Sequence, residues 1–468
     1  CTRFMDATAN FCNDDDSLSG VKMKDDNKAC WECPCTNLAS MATLIGCMNY
    51  GKAPSKVPKQ FSKYCKKKAN VTLTLDVIRD AYQNYTNYGK RTEQIEGFSK
   101  TKKLNIPVIL NNTQIKLYED SSNRLYGNFD RSLIYGSLLL AFCGFVFLIE
   151  SVSFWSKRCF PKVIASLTGT YTNLFRRYIT LPATKKRSKT SDRCFFIFIQ
   201  ALIPSRKETI IIGMFYILTV IFNVFDIYTG VTDPRYPTRG QALARYVSDR
   251  TGITATVLVP LLILFSGRNN FLQWITGLHY STFMMYHRWL ARMIFLLVSI
   301  HGITVTVALS SFYKHQSKTI NFFGAGLATA CASIIMVQGM LFLRRRWYEI
   351  FLITHILMAV GFIAGSWIHV DDFGYVWFFW CASAIWVFDR VARLTRLFLF
   401  GAPLANVTLL EDEALKVVVP KPKHWKPVAG GFGFVYFLEP GYFWQSHPFT
   451  FYTSTYAEVE DSVVFYCK

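Results

Sequence analysis

Acidic residues are few in this chain. Only 31 Asp and Glu stand against 52 Lys and Arg, and charged residues of both signs make up 18% of 468 positions. An ordinary soluble protein carries about 25%. So little charge beside 51% hydrophobic content excludes a simple soluble globule. The shortage of acid leaves a formal net charge of +21, which by itself would suit nucleic acid. The distribution excludes that partner. Between positions 156 and 207 twelve Lys or Arg meet one acid, Asp192, and further basic residues form short clusters such as Arg344–Arg346. These groups flank apolar runs, where the positive-inside bias places them, so the expected partner is membrane lipid and not nucleic acid. The 40 Phe among 16% aromatics fit lipid-facing helices. The chain also lacks an initial methionine and opens on Cys1, as after signal-peptide removal or in a partial sequence.

Residues 1–130 contain no run long enough to cross a bilayer. They hold seven of the 13 cysteines, Cys1, Cys12, Cys30, Cys33, Cys35, Cys47 and Cys65, together with N-x-[ST] sequons at Asn70, Asn84 and Asn111. Cysteines and sequons together predict a translocated, oxidising compartment, with a disulfide-rich, N-glycosylated extracellular region. The spacing Cys30-x-x-Cys33-x-Cys35 leaves a zinc site as the alternative use.

About seven apolar spans follow, near 132–150, 208–228, 251–267, 287–309, 322–343, 350–369 and 374–398. The basic loop 156–207 is expected in the cytosol and the N-terminal region outside. Counting onward, Arg344–Arg346 and Arg390, Arg393 and Arg396 fall inside, and Asp371 and Asp372 outside. The loop 229–250 runs against the rule with four Arg on the outer side. The apolar stretch 195–203 is too short to span, and is expected to lie in the interface or be buried.

Four of the eight histidines carry the chemistry. His287 and His301 lie in one span, His355 and His369 in another, and each pair is 14 positions apart. Fourteen helical steps return to within about 40° of the starting direction after a rise of ~21 Å. Each span therefore presents two imidazoles on one stripe, near opposite faces of a ~30 Å hydrocarbon layer. One span separates the two, so they run parallel, and His287 faces His355 while His301 faces His369. A lone histidine in an apolar helix usually satisfies itself against a backbone carbonyl. Four sharing one spacing fit two stacked haems, each iron held by two imidazoles and open to no substrate, which makes an electron wire across the membrane. His287 and His355 would hold the inner haem, and His301 and His369 the outer one. Arg288, Arg292 and Arg344–Arg346 are placed to meet inner-haem propionates or lipid head groups. His279, His315 and His424 are expected on solvated surface.

Past position 400 the pattern changes to short strand-like runs, Val407–Leu410, Lys416–Val419, Phe434–Leu438 and Val463–Tyr466, broken by Pro and Gly. They predict the start of a soluble antiparallel β-barrel. The fold class is thus an all-α transmembrane helical bundle with a bis-haem core (131–400), between an extracellular region (1–130) and an incomplete β-barrel (401–468). Asn406-Val407-Thr408 is a fourth sequon, expected to stay unmodified on the cytosolic side.

Three segments carry a resemblance. Gly267-Arg-Asn-Asn-Phe-Leu-Gln-Trp-Ile-Thr-Gly-Leu-His-Tyr-Ser-Thr-Phe283 followed by His287-Arg288-Trp289, then Arg345-Arg346-Trp347-Tyr348-Glu349 ahead of His355, and Trp444-Gln445-Ser446-His447-Pro448-Phe449-Thr450 resemble fungal plasma-membrane ferric reductases, of the ferric reductase and NADPH oxidase superfamily. The likeness runs from about 205 to the end. It implies an FAD site at His447, Pro448, Phe449 and Thr450, with Phe451, Tyr452 and Thr453. Thr450 would approach the isoalloxazine, and His447 the phosphate or ribose side. It implies electrons passing from cytosolic NADPH through FAD and two b haems to extracellular Fe(III) chelates or Cu(II), with an iron permease or oxidase as partner. The family's nicotinamide domain, with its Gly-rich loop and later Cys motif, has no counterpart here, so the chain is expected to be a piece of a longer protein. A superoxide-generating NADPH oxidase shares the same core and is the alternative enzyme. A non-redox transporter relaying protons along histidines is the alternative from another class.

Overall fold

The computed structural model describes residues 4–5, 8–11, 35–50, 61–63, 65–66, 70–100, 102–185, 192–196, 199–202, 204–230, 233–310, 317–411, 413–428, 430–441, 443, 445–453 and 462–467. The N-terminal unit is built on α1 (Leu38–Tyr50) and α2 (Leu75–Tyr88) around Met5, Leu44, Cys47 and Val108. Thr43 on α1 accepts the Val108 amide at 2.9 Å, tying the following loop to the helix. Cys35 and Cys65 are joined by a disulfide, and Cys47 is disulfide-bonded as well. The disulfide takes Cys35 out of the zinc alternative. Cys1, Cys12, Cys30 and Cys33 lie outside the described residues.

Seven long helices follow: α3 (Asn112–Cys159), α4 (Arg206–Val224), α5 (Arg239–Ser266), α6 (Tyr280–Ala308), α7 (Ile320–Gln338), α8 (Tyr348–Val370) and α9 (Val376–Phe400). They alternate in direction between an end next to the N-terminal unit and an end rich in Lys and Arg. Six of them, α3 to α8, are long and apolar enough to cross a membrane. The chain is a multi-pass membrane protein. The seventh expected span forms α9, but its second half carries Asp389, Arg390, Arg393 and Arg396 and is less apolar than the rest.

Two boundaries differ from the hydropathy reading for a physical reason. α3 has 48 residues where an apolar run of 132–150 marked the span, because a polar helical half, capped by Asn111 accepting from Thr113 N, continues into the N-terminal unit. α5 begins at Arg239 rather than near 251, so Arg245 and Arg250 are helical residues and not part of a loop. Arg250 has no exposed surface. It donates to Ser132 Oγ (3.1 Å), Asn128 Oδ1 (2.9 Å) and the carbonyls of Phe222 (2.8 Å) and Phe225 (3.2 Å), the last two at the open end of α4. Backbone carbonyls left without helical partners thus take up a cation inside the bundle. Of the four arginines that ran against the charge rule, Arg250 is accounted for in this way and Arg245 by its ion pair with Asp249.

The helices pack as two close pairs, α5 with α6 and α7 with α8. In the second pair Gly324 and Gly365 bring the backbones together: a Cβ built on Gly365 falls 2.7 Å from Gly324 O and 2.8 Å from Ala328 N. Small residues allow such approach where lipid gives no hydrophobic drive between helices. Replacing Gly365 with leucine is therefore expected to separate α7 from α8 at a cost of about 1–3 kcal/mol. Thermal unfolding of the detergent-purified chain should show a midpoint lowered by several degrees. Gly326→Ala, where a Cβ meets nothing within 4 Å, is the control and should leave it unchanged.

Of the apolar stretch 195–203, residues 195–196 and 199–202 belong to two antiparallel strands, β1 (Asp192–Phe196) and β2 (Ile199–Leu202). Beyond α9 lies a five-stranded antiparallel sheet of β3 (Asn406–Leu409), β4 (Leu415–Pro420), β5 (Phe432–Val435), β6 (His447–Thr453) and β7 (Ser462–Cys467), in the order β3-β4-β7-β6-β5. Its core is Val417, Phe451, Val463 and Phe465. β6, the segment singled out for its motif, is itself a strand, paired with β5 over its first half and β7 over its second.

Candidate functional site

α6 and α8 carry the four histidines, yet each packs mainly on another helix, α6 on α5 and α8 on α7. They face one another through their imidazoles. The ring centroids of His287 and His355 are 6.3 Å apart, with planes at 59°. Those of His301 and His369 are 5.9 Å apart, at 68°. The expected pairing and parallel course are both observed.

Each ring is held through one nitrogen. His287 Nδ1 lies 3.0 Å from Leu262 O and His301 Nδ1 2.8 Å from Ser248 O, both on α5. His369 Nδ1 lies 3.1 Å from Asn321 O, in the first turn of α7. A carbonyl only accepts, so these three imidazoles carry their proton on Nδ1 and keep the basic lone pair on Nε2. Ser248 Oγ is also within 3.1 Å of His301 Nδ1. His355 differs. Its Nδ1 is buried without a hydrogen-bond partner, and its ring lies 5.3 Å from that of Phe351.

The fit to an iron porphyrin follows from these contacts. Metal–imidazole bonds of about 2 Å put two rings on one ion with centroids roughly 6 Å apart. Both pairs meet that spacing. Among the described residues no group of three or more His, Cys, Asp or Glu could cage a bare ion. The histidines come in twos, an arrangement that suits an ion whose other positions a macrocycle fills. At the basic end Arg292 Nη1 is buried without a hydrogen-bond acceptor, its guanidinium 4.7 Å over Trp289, which leaves a donor free for a carboxylate.

Sequence reasoning missed the supports on α5. Gly252 lies directly beneath His301, where a Cβ would come within 2.6 Å of Nδ1. Arg245 and Asp249 form an ion pair of 3.0 Å one turn from Ser248. The spacing Arg245, Ser248, Asp249, Gly252 was a readable stripe on one helical face, but its target becomes visible only once α5 is seen against α6.

The seven residues expected around a flavin are contiguous on β6 but divide between its faces. Phe449 and Phe451 turn into the sheet core, whereas Pro448, Thr450 and Tyr452 are exposed. His447 is half-buried, with Nε2 3.4 Å from Gln445 Oε1. The side chain of Thr453 lies outside the described residues. Just ahead of β6, Ser446 Oγ accepts from Arg268 Nη1 at 3.0 Å. Arg268 follows α5 closely, and burial together with the nearby Arg393 lowers its pKa from the ordinary value. Of the remaining histidines, His279 precedes α6 and is exposed, His424 is exposed, and His315 lies outside the described residues. Asn70 and Asn111 are exposed, and Asn84 is half-buried.

A six-helix membrane core with facing histidine pairs, followed by an antiparallel sheet, defines a membrane redox protein of the ferric reductase class. Residues 251–366 match the ferric reductase like transmembrane component family, and residues 399–468 match an FAD-binding domain family. The chain belongs to the ferric reductase family. A probable ferric reductase transmembrane component of Candida albicans is 42% identical over 366 residues, 77% of this chain and 54% of that protein. Ferric/cupric reductase transmembrane component 1 of the same organism is 42% identical over 77% of this chain and 48% of its own length. Ferric reductase transmembrane component 3 of Saccharomyces cerevisiae is 31% identical over 92% of this chain and 61% of its own. The chain spans about half the length of the curated relatives it matches.

Proposed function

We propose that this chain is the membrane and flavin-proximal part of a surface metalloreductase, which moves electrons from cytosolic NADPH through FAD and two b haems to extracellular Fe(III) chelates or Cu(II). The observation that carries the reading is the pair of imidazole couples at two depths, three of whose rings are oriented by backbone carbonyls. The names of the relatives support the metal substrates. His287 with His355 would hold the inner haem and His301 with His369 the outer one. Bound there, an iron porphyrin supplies single-electron transfer and offers no open position to a substrate. The carbonyls of Leu262, Ser248 and Asn321 fix the tautomer and raise the basicity of their imidazoles, as supports behind metal ligands do. Arg292 offers its free donor to a propionate.

Flavin bound at β6 supplies the conversion of a hydride into single electrons. The exposed face of Pro448, Thr450 and Tyr452 is its platform, with Phe449 and Phe451 packed behind as backing and His447 at the strand start. The division into 1–130, 131–400 and 401–468 follows, with the N-terminal unit outside the plasma membrane, the basic helix ends and the sheet in the cytosol, and glycans on Asn70, Asn84 and Asn111.

The test is a dithionite-reduced minus oxidised spectrum of the purified chain. Sharp low-spin b-type bands from two haems per chain are expected. Protein that stays free of Soret absorbance after expression with ample haem would overturn the reading.

A further inference from the structure

Arg268 lies outside the histidine pairs and the flavin motif, yet it touches the elements that support both. It follows α5, whose Leu262 carbonyl anchors the inner ligand His287 at 3.0 Å. Its guanidinium donates to Ser446 Oγ at 3.0 Å, one residue before β6, and lies 3.7 Å from the centroid of Phe434 on β5. Phe434 is the register partner of Pro448, so one side chain grips both strands where they meet. The backbone that carries it is fixed as well. Asp389 on α9 accepts from Asn269 N at 2.9 Å and is held by Arg393 at 2.7 Å, while Gln273 Nε2 donates to the Arg268 carbonyl at 3.2 Å. A second grip comes from α9, whose Phe400 packs edge-on against Trp425 at 5.4 Å. Trp425 packs in turn on Phe451 of β6 at 5.4 Å.

From this geometry we infer that Arg268 is a positioning residue that sets the flavin-bearing strand against the inner histidine pair. The inference rests on the flavin reading of β6. The segment 262–268 is a short rigid link, with the ligand anchor at one end and the strand clamp at the other. Arginine suits the task because its planar fork hydrogen-bonds in plane while its face stacks on an aromatic ring, and lysine can do only the first. Truncation removes the grip on the start of β6 but leaves the Phe400–Trp425–Phe451 contact. The sheet therefore stays folded and attached, and its first strand pair loses its fixed place.

The experiment uses the full chain in detergent, loaded with both haems, as wild type, Arg268→Ala and Arg268→Lys. Amide hydrogen exchange over 432–435 and 447–451 is measured without flavin. Exchange about tenfold faster in Arg268→Ala is expected, with 463–466 unchanged. FAD is then added and its affinity determined from fluorescence quenching. Bound FAD is photoreduced by a light flash with EDTA as donor, and haem reduction is followed by absorbance. Arg268→Ala should slow flavin-to-haem transfer about tenfold at unchanged FAD affinity and haem spectrum, because small misplacements from remote changes are costly. Arg268→Lys should recover part of the rate. Unaltered exchange in Arg268→Ala, or an unaltered transfer rate, overturns the inference. If Arg268→Ala exchanges faster than wild type yet the wild-type chain binds no FAD, the flavin reading is refuted while the clamp stays in place.

Discussion

Replacing His301 or His369 with alanine is expected to remove one of two haems and to stop electron transfer across the membrane. The two rings face each other at 5.9 Å, and each is oriented by a carbonyl on a different helix, Ser248 O on α5 and Asn321 O on α7. Neither ring has a neighbour that could replace it, since no further His, Cys, Asp or Glu completes a metal cluster among the described residues. Even changes to supports behind a ligand lower metal affinity by about 10–100-fold, so loss of a ligand itself should exceed ~100-fold. The measurement separates binding from flow. Haem per protein, read by pyridine haemochrome, should fall to about half. Proteoliposomes that enclose dithionite should no longer reduce external Fe(III) citrate, although the inner pair keeps its spectrum. A variant that retains both haems, or full reduction of the external chelate, would end the assignment of this pair.

Gly252→Val is expected to match those alanine variants although it leaves all four histidines in the sequence. Position 252 lies on α5, one helical turn from Ser248, with its missing side chain directed at His301. A Cβ there comes within 2.6 Å of Nδ1 and 2.9 Å of Cε1. Such distances are far inside contact, so either α5 moves away from α6 or the imidazole turns off its axis. Overpacking of this kind costs about 1–3 kcal/mol in a packed interior. Most of that strain is expected at His301, because its ring can turn about side-chain torsions whereas the α5 backbone is held by its helical hydrogen bonds. Valine adds β-branching that crowds the ring further. Outer-haem content should fall by more than half, with the inner haem retained. Gly302→Ala, next to His301 on α6 where a Cβ meets nothing within 4 Å, should leave both haems in place. If Gly252→Val kept a full outer haem with an unchanged spectrum, the close approach of α5 to His301 would be wrong.

The helical bundle was readable because apolar length and flanking charge act locally along the chain. Six spans can be located from composition alone, and α9 from its mixed character. The 14-residue repeat of His287–His301 and His355–His369 was readable for the same reason: helical geometry converts spacing into a shared face without reference to any other element. The limits of α3 and α5 were not. Hydropathy marks where a helix meets lipid, whereas its hydrogen bonds continue into polar sequence as long as caps and tertiary partners support them. Arg250 shows the difference most clearly. By charge it belonged in a loop, and inside the fold it closes the open end of α4 and meets Asn128 and Ser132 from α3.

By itself, then, the sequence determined a multi-pass helical protein, the pairing of its four histidines, and a β-rich segment bearing a flavin-like motif. Tertiary structure alone decided which carbonyls orient the rings, why Gly252 and Gly365 must lack side chains, that β6 splits its motif between an exposed and a buried face, and that Arg268 joins the membrane helices to that strand. The reason is one of range. Periodicity and burial are set by neighbours a few residues away, while ring tautomers, close helix approach and a clamp across 178 positions depend on which distant elements come to share a surface.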